Sequence, residues 1–185
     1  MRHTFETEQW LPFPVERVFA FFANPENLPR LMPPWQKTRI EQASFAPLPQ
    51  RPASSTPSSA AAGPGTTLTL SFRPFPLAPF RLHWDAEISE FVWNDHFCDV
   101  QHRGPFAFWR HCHNVIAEPR NAIPGTLVRD HVVYEMPFGP LGEVAQRLFG
   151  TLQLRSIFNY RHRRTAELLP KAPTGVIPAK PESPY

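Results

Sequence analysis

The alternation of apolar and polar positions divides the chain into strands followed by a closing helix. Strand side chains alternate faces, whereas one face of a helix recurs every three or four residues. Thr4 to Leu11 alternates, with Phe5, Thr7 and Gln9 against Glu6, Glu8 and Trp10, and predicts a first strand. Val15, Val18, Phe19 and Phe22 then recur at helical spacing behind Pro14, which suits a first helical turn. A second short helix is expected from Asn24-Pro25, with Asn24 as its cap, and must end before Pro33-Pro34. Trp35 to Phe45 reads as a second strand. Thr66 to Arg73 sets Leu68, Leu70 and Phe72 against Thr67, Thr69 and Ser71. Arg81 to Trp93 places Leu82, Trp84, Ala86 and Ile88 on one face. Thr126 to Met136 places Val128, Asp130, Val132, Tyr134 and Met136 on one face. From Leu141, apolar residues at three and four predict one helix to about Leu169, roughly 28 residues or about 42 Å at 1.5 Å per residue. Its apolar surface, including Leu141, Val144, Leu148 and Leu152, is wide and is expected to be well wrapped. Strands joined by short turns give an antiparallel sheet, and the long helix makes the class α+β.

The stretch Phe97 to His113 reads as a hairpin around Arg103-Gly104-Pro105-Phe106. Asp99, Gln101 and Arg103 share one face of its first strand, and Trp109, His111 and His113 share one face of its second. A loop of Gly104 to Phe108 sets Arg103 opposite Trp109, Gln101 opposite His111 and Asp99 opposite His113. Directly opposed residues project to the same side, so this register gathers all six groups into one polar row. Turned inward, each member needs a partner, because an unpaired buried polar group costs roughly 1–3 kcal/mol.

Composition narrows the function classes. The 185 residues suit one domain. The net charge of +3 rests on scattered Arg, and no basic stripe interleaves with aromatics, which excludes nucleic-acid binding. Proline, at 24 residues, clusters in 46–65 and 170–185, which read as a mobile Pro/Ser/Ala loop with almost nothing to bury and a disordered tail around a single domain of 1–169. No apolar run is long enough to span a membrane and the first residues lack an apolar signal core, so a cytoplasmic protein is expected. Cys98 and Cys112 fall on the face opposite the polar row, not directly across from each other. No disulfide is indicated, and a reducing compartment is the natural reading. The eight glycines form no phosphate-cradling loop or dinucleotide fingerprint, and no cofactor is expected.

Several strings carry a resemblance: Leu11-Pro12-Phe13-Pro14-Val15-Glu16-Arg17-Val18-Phe19, Asn24-Pro25-Glu26-Asn27-Leu28, Pro33-Pro34-Trp35, Asp99 to Phe106, Trp109-Arg110-His111-Cys112-His113 and Pro137 to Gly142. On these the chain resembles the SRPBCC superfamily, the helix-grip fold of START-like lipid carriers and polyketide cyclases/dehydrases. The closest resemblance is to small bacterial ligand-binding members. It implies a hydrophobic cavity between a curved sheet and the long helix, and no particular ligand.

Four readings then compete for the polar row, extended by Asp130 and Tyr134. It can be a satisfied internal network that fixes register. It can be a cavity wall that orients the polar end of an apolar ligand, formed by Trp84, Asp99, Gln101, Arg103, Trp109, His111, His113, Asp130 and Tyr134. It can be an acid–base site, with His111 or His113 as base, Asp99 or Asp130 orienting it, and Tyr134 on an enolate or carbonyl oxygen. It can be a metal site, although no third His falls at a convincing spacing and no metal ligand is assigned. His3, His83, His96 and His162 read as surface groups, and Arg161 to Arg164 as a solvated helix end. The expected function is binding of a lipid, isoprenoid or polyketide-like molecule as carrier, sensor or accessory protein, by a monomer or homodimer. A cyclase/dehydratase-type enzyme is the alternative.

Overall fold

The computed structural model of the chain describes residues 1–51 and 61–171. Residues 52–60 of the expected loop and 172–185 of the expected tail lie outside the described residues. The strands are β1 (Arg2–Leu11), β2 (Arg39–Ser44), β3 (Thr67–Phe72), β4 (Leu82–Val92), β5 (His96–Arg103), β6 (Phe108–Ala117) and β7 (Thr126–Glu135). They form one antiparallel sheet in the order β1-β7-β6-β5-β4-β3-β2. Between β1 and β2 lie α1 (Val15–Ala23), a 3-10 turn at Pro25–Asn27, α2 (Leu28–Leu31) and a 3-10 turn at Pro34–Gln36. After β7 come α3 (Pro140–Ala145) and α4 (Thr151–Leu168). This is the helix-grip α+β arrangement.

Helix α1 begins behind Pro14 and buries Val18, Phe19, Phe21 and Ala23. Phe19 packs edge-on against Phe91 and Phe97, which ties α1 to one end of the sheet. A second cluster of Phe5, Trp109, Val132, Tyr134, Leu154 and Phe158 ties α4 to the other. The inward faces read from β3, β4 and β7 are the faces observed.

Four expectations need correction. First, the long helix is interrupted by a π-turn at Gln146–Gly150. Leu141, Val144, Leu148 and Leu152 are 56–77% exposed, so that apolar surface is not wrapped. The stripe facing the sheet is Leu154, Phe158, Thr165 and Leu168. Second, the hairpin register is displaced by two residues: Asp99 opposes His111, Phe97 opposes His113, and Cys98 opposes Cys112. The faces survive because a two-residue shift preserves the pleat. Third, Cys98 and Cys112, set directly across from each other by this shift, form a disulfide on the outer face of the sheet. Fourth, the loop's described C-terminal flank has much to bury: Ala61 and Ala62 lie in the core, and the Ala62 N–H donates to Ala23 O at 2.9 Å.

Two irregularities in the β4–β5 ladder adjust which side chains point inward. An extra residue at Ser89 separates the Ile88–Asp99 pair from the Glu90–Cys98 pair, so that Phe91 and Phe97 face the core together. Another at His102 sets Arg103 opposite Asp85 on the outer face. Arg103 pairs there with Asp85 at 2.8 Å.

Candidate functional site

The concave face of the sheet, α2 and α4 enclose a cavity of about 400 Å³. Leu68, Leu70 and Phe72 of β3 with Ala86 and Ile88 of β4 form one apolar wall. Leu154, Ile157 and Phe158 of α4 form the facing wall. Asp99, Trp109, His111, His113 and Tyr134 line the remaining side, where β5, β6 and β7 run next to one another.

The polar wall is built by strand pairing. His113 opposes Asp130 across β6 and β7, and Asp99 opposes His111 across β5 and β6. His111 therefore stands between two carboxylates. Its Nε2 donates to Asp130 Oδ1 at 2.9 Å, and its Nδ1 lies 3.4 Å from Asp99 Oδ1. The Trp109 indole N–H donates to Asp99 Oδ2 at 3.2 Å. Asp130 sits behind the imidazoles with 5% exposure, whereas Asp99 keeps 22% of its side chain exposed. His113 Nδ1 lies 2.6 Å from Asp130 Oδ1, but off the line that a ring N–H bond needs, so this nitrogen has no aligned hydrogen-bond partner. The rings of His111 and His113 are 4.2 Å apart, and Phe22 and Phe97 pack on His113.

These surroundings set the charges. Burial pushes the His111 imidazole down, but its bonds to Asp130 and Asp99 outweigh it, and its pKa is raised. Burial and the neighbouring His111 charge push His113 down to about 4. Burial alone would raise Asp130, yet the two imidazoles hold it well below the ordinary carboxylate value. Asp99 is likewise lowered, burial being overcome by His111 and Trp109. Near neutral pH the wall thus holds two carboxylates and a neutral His113 imidazole, with His111 shifted toward its charged form. Such a group can receive a hydrogen-bonding ligand, exchange a proton with it, or bind a cation.

Tyr134 is buried further along the same face. Its hydroxyl accepts from the Gln146 amide, which also donates to Thr151 Oγ1 at 3.2 Å. The π-turn aims Gln146 inward, and the space belongs to Gly150, where a Cβ would collide with the Gln146 amide. Among the described residues, five buried polar atoms of cavity-lining residues have no hydrogen-bond partner: Trp84 Nε1, Gln36 Oε1, Thr38 Oγ1, Gln146 Oε1 and the His113 Nδ1 already described.

The structure thus brings together Trp84, Asp99, Trp109, His111, His113, Asp130 and Tyr134. It separates two expected members. Arg103 is turned to the outer face by the extra residue at His102. Gln101 holds the hairpin turn, donating to Phe106 O at 2.7 Å and accepting from Phe106 N at 3.4 Å. Two groups that read as surface or solvated residues belong to the site. Arg161 lines the cavity, and His162 Nε2 lies 3.9 Å from Asp130 Oδ2. Gln146 has no counterpart among the expected site residues. Spacing from Leu154 through Phe158 to Arg161 carries the signal for Arg161, because steps of four and three keep one helix face.

No described helix is long and apolar enough to cross a membrane. A family model described as polyketide cyclase / dehydrase and lipid transport matches residues 11–157. No curated protein matches the chain closely enough to count as a relative. Among solved structures, Ara h 8.0201 is 14% identical, with 92% of this chain and 99% of that chain covered at a TM-score of 0.58. A truncated norcoclaurine synthase from Thalictrum flavum is 12% identical, with 90% and 95% covered and a TM-score of 0.58. TTHA0849 from Thermus thermophilus is 16% identical, with 92% and 100% covered and a TM-score of 0.57. At such identities the likeness is one of fold.

Proposed function

Since the chain belongs to the family described as polyketide cyclase / dehydrase and lipid transport, we propose that it binds a hydrophobic or amphipathic small molecule between its sheet and α4, as a carrier, sensor or accessory protein. The observation that carries this reading is the cavity itself. Its volume of about 400 Å³ lies in the range of small-molecule sites, and its walls are apolar apart from one polar side. A lipid, isoprenoid or polyketide-like ligand would lay its apolar body along Leu68, Leu70 and Phe158. Its polar end would meet Trp84 Nε1, a buried donor without a partner, and the Asp99–His111 pair. Native mass spectrometry of the purified chain tests the reading, followed by displacement of a fluorescent amphiphile. A reproducible organic adduct lost on denaturation, with Leu70→Trp abolishing uptake, is the expected result. Unchanged amphiphile binding by Leu70→Trp would refute it.

A second reading has its own support. His111 lies between two carboxylates and lines the cavity, an arrangement suited to moving a proton in cyclase or dehydratase chemistry. His111→Asn separates the two. A carrier loses affinity modestly, whereas an enzyme loses turnover by orders of magnitude.

A further inference from the structure

We propose that His111, His113 and Asp130 bind one divalent transition-metal cation of the zinc class, with the open coordination position facing the cavity. One donor atom from each of His111, His113 and Asp130 lies within 4.8 Å of the others, and His111 Nε2 and His113 Nδ1 both approach Asp130 Oδ1. Zinc bonds of about 2.0–2.2 Å in tetrahedral geometry set donor atoms roughly 3.3 Å apart. The present separations of 2.9 and 2.6 Å to Asp130 Oδ1 need to open by less than an ångström, within reach of side-chain torsions.

The strands hold the donors rigidly. His113 and Asp130 are direct cross-strand partners, and His111 is two residues along the same face of β6. Three further observations point to a cation. His113 is 5% exposed, yet its Nδ1 faces the carboxylate without an aligned hydrogen bond. A buried polar atom in that position is costly, and a metal bond would satisfy it. The far nitrogen of His111 faces Asp99, itself fixed by the Trp109 indole, which is the carboxylate–imidazole support that metal-binding histidines use. Finally, His162 Nε2 is also a buried atom without a partner, 3.9 Å from the second oxygen of Asp130. Arg161, on the same cavity, opposes a cation, but Asp99 and Asp130 outnumber it. Two imidazoles and one carboxylate favour zinc-class ions over calcium and magnesium, which take oxygen donors. Because His111 and His113 line the cavity, a fourth ligand would come from that space, which is the open arrangement of reactive rather than closed structural sites.

This inference stands whether or not an apolar molecule fills the cavity. The test uses the full chain, stripped with a chelator and dialysed. Zn²⁺ affinity is read by competition with a chelating dye, Co²⁺ by its visible d–d absorption, and bound metal by elemental analysis. Expected are one ion per chain and a Co²⁺ band that Zn²⁺ abolishes. Asp130→Asn and His113→Gln should each weaken Zn²⁺ binding by about 100-fold or more, and Asp99→Asn by about 10- to 100-fold without changing stoichiometry. His3→Asn, at a distant His–Glu143 contact, should leave binding unchanged. If the folded, unsubstituted chain gives no Co²⁺ band and takes up no stoichiometric Zn²⁺, the inference is overturned, and this arm needs no variant to fold. Parent affinity in a folded Asp130→Asn also overturns it. Metal uptake without amphiphile uptake would defeat the proposed function and leave the metal site standing, and the converse holds equally.

Discussion

Phe158→Ala probes how α4 closes the cavity. Phe158 is 2% exposed. Its ring lies 5.1 Å from that of Phe5 and 5.6 Å from that of His111, and the Arg161 guanidinium stands over it at 4.9 Å. Returning such a side chain to water forfeits about 1.5–3 kcal/mol of transfer free energy. The lost ring contacts add about 0.5–1.5 kcal/mol each. The void would join the existing cavity, whose strand wall cannot collapse inward, so relaxation recovers little. The expected loss therefore spans the usual range for this substitution, about 3–5 kcal/mol. For a domain of this size that lowers the thermal midpoint by about 6–20 °C, at 2–4 °C per kcal/mol. Urea titration of the ligand-free, metal-free protein measures it. Leu152→Ala, on the same helix but 66% exposed, is the internal control and should change stability by less than about 0.5 kcal/mol. Equal costs for the two, or a Phe158→Ala loss below about 1 kcal/mol, would refute the assignment of the Leu154–Phe158 stripe as the buried face.

Other outcomes follow from the same structure. Reducing the Cys98–Cys112 disulfide, which closes a loop with sequence separation 14, should cost about 3 kcal/mol by the chain-entropy account and lower the urea midpoint. An unchanged midpoint would contradict that account here. In chelated protein, His113 titrates lower when folded, about 4 against 6.5 unfolded, so the unfolded chain takes up its proton first and stability falls as pH drops from 6.5 towards 4. The lowered Asp99 and Asp130 extend that loss below 3.8, whereas the raised His111 adds stability that fades as pH rises above 6.5. Urea titrations across this range should place the maximum close to neutrality, and a maximum below pH 5 would contradict the assigned charges. Arg103→Ala breaks only an exposed pair and should change stability by less than about 1 kcal/mol and leave amphiphile binding intact.

Much of this fold is legible in the sequence because period-two alternation is a local property. Leu68, Leu70 and Phe72, or Asp130, Val132 and Tyr134, announce their common face without reference to partners. Pairing is a longer-range matter. Alternation cannot distinguish registers two residues apart, so the face of Asp99 and His111 is readable while their opposition, and that of Cys98 and Cys112, is not. The extra residue at His102 leaves no compositional mark, and strict alternation puts Arg103 on the wrong face for that reason. In the last helix the apolar residues lie on more than one side. Anchoring the stripe at Leu152 leads to the exposed face, whereas Leu154 leads through Phe158 to Arg161. Gln146 depends on a π-turn, which follows no simple periodicity.

The order of strands in the sheet also dictates a history. β1 is completed first, yet it pairs only with β7, and about 115 residues separate Leu11 from its partner Thr126. At a synthesis rate of 5–20 residues per second, β1 waits roughly 6–23 s for a neighbour to exist. Contacts so distant along the chain pay their loop entropy late, which places this topology among slowly folding domains. Until β7 arrives, the β1 backbone has no strand to pair with, Phe5 must wait longer still for its ring partner Phe158 on α4, and the nascent chain must keep one hydrophobic strand unpaired throughout the assembly of the other five.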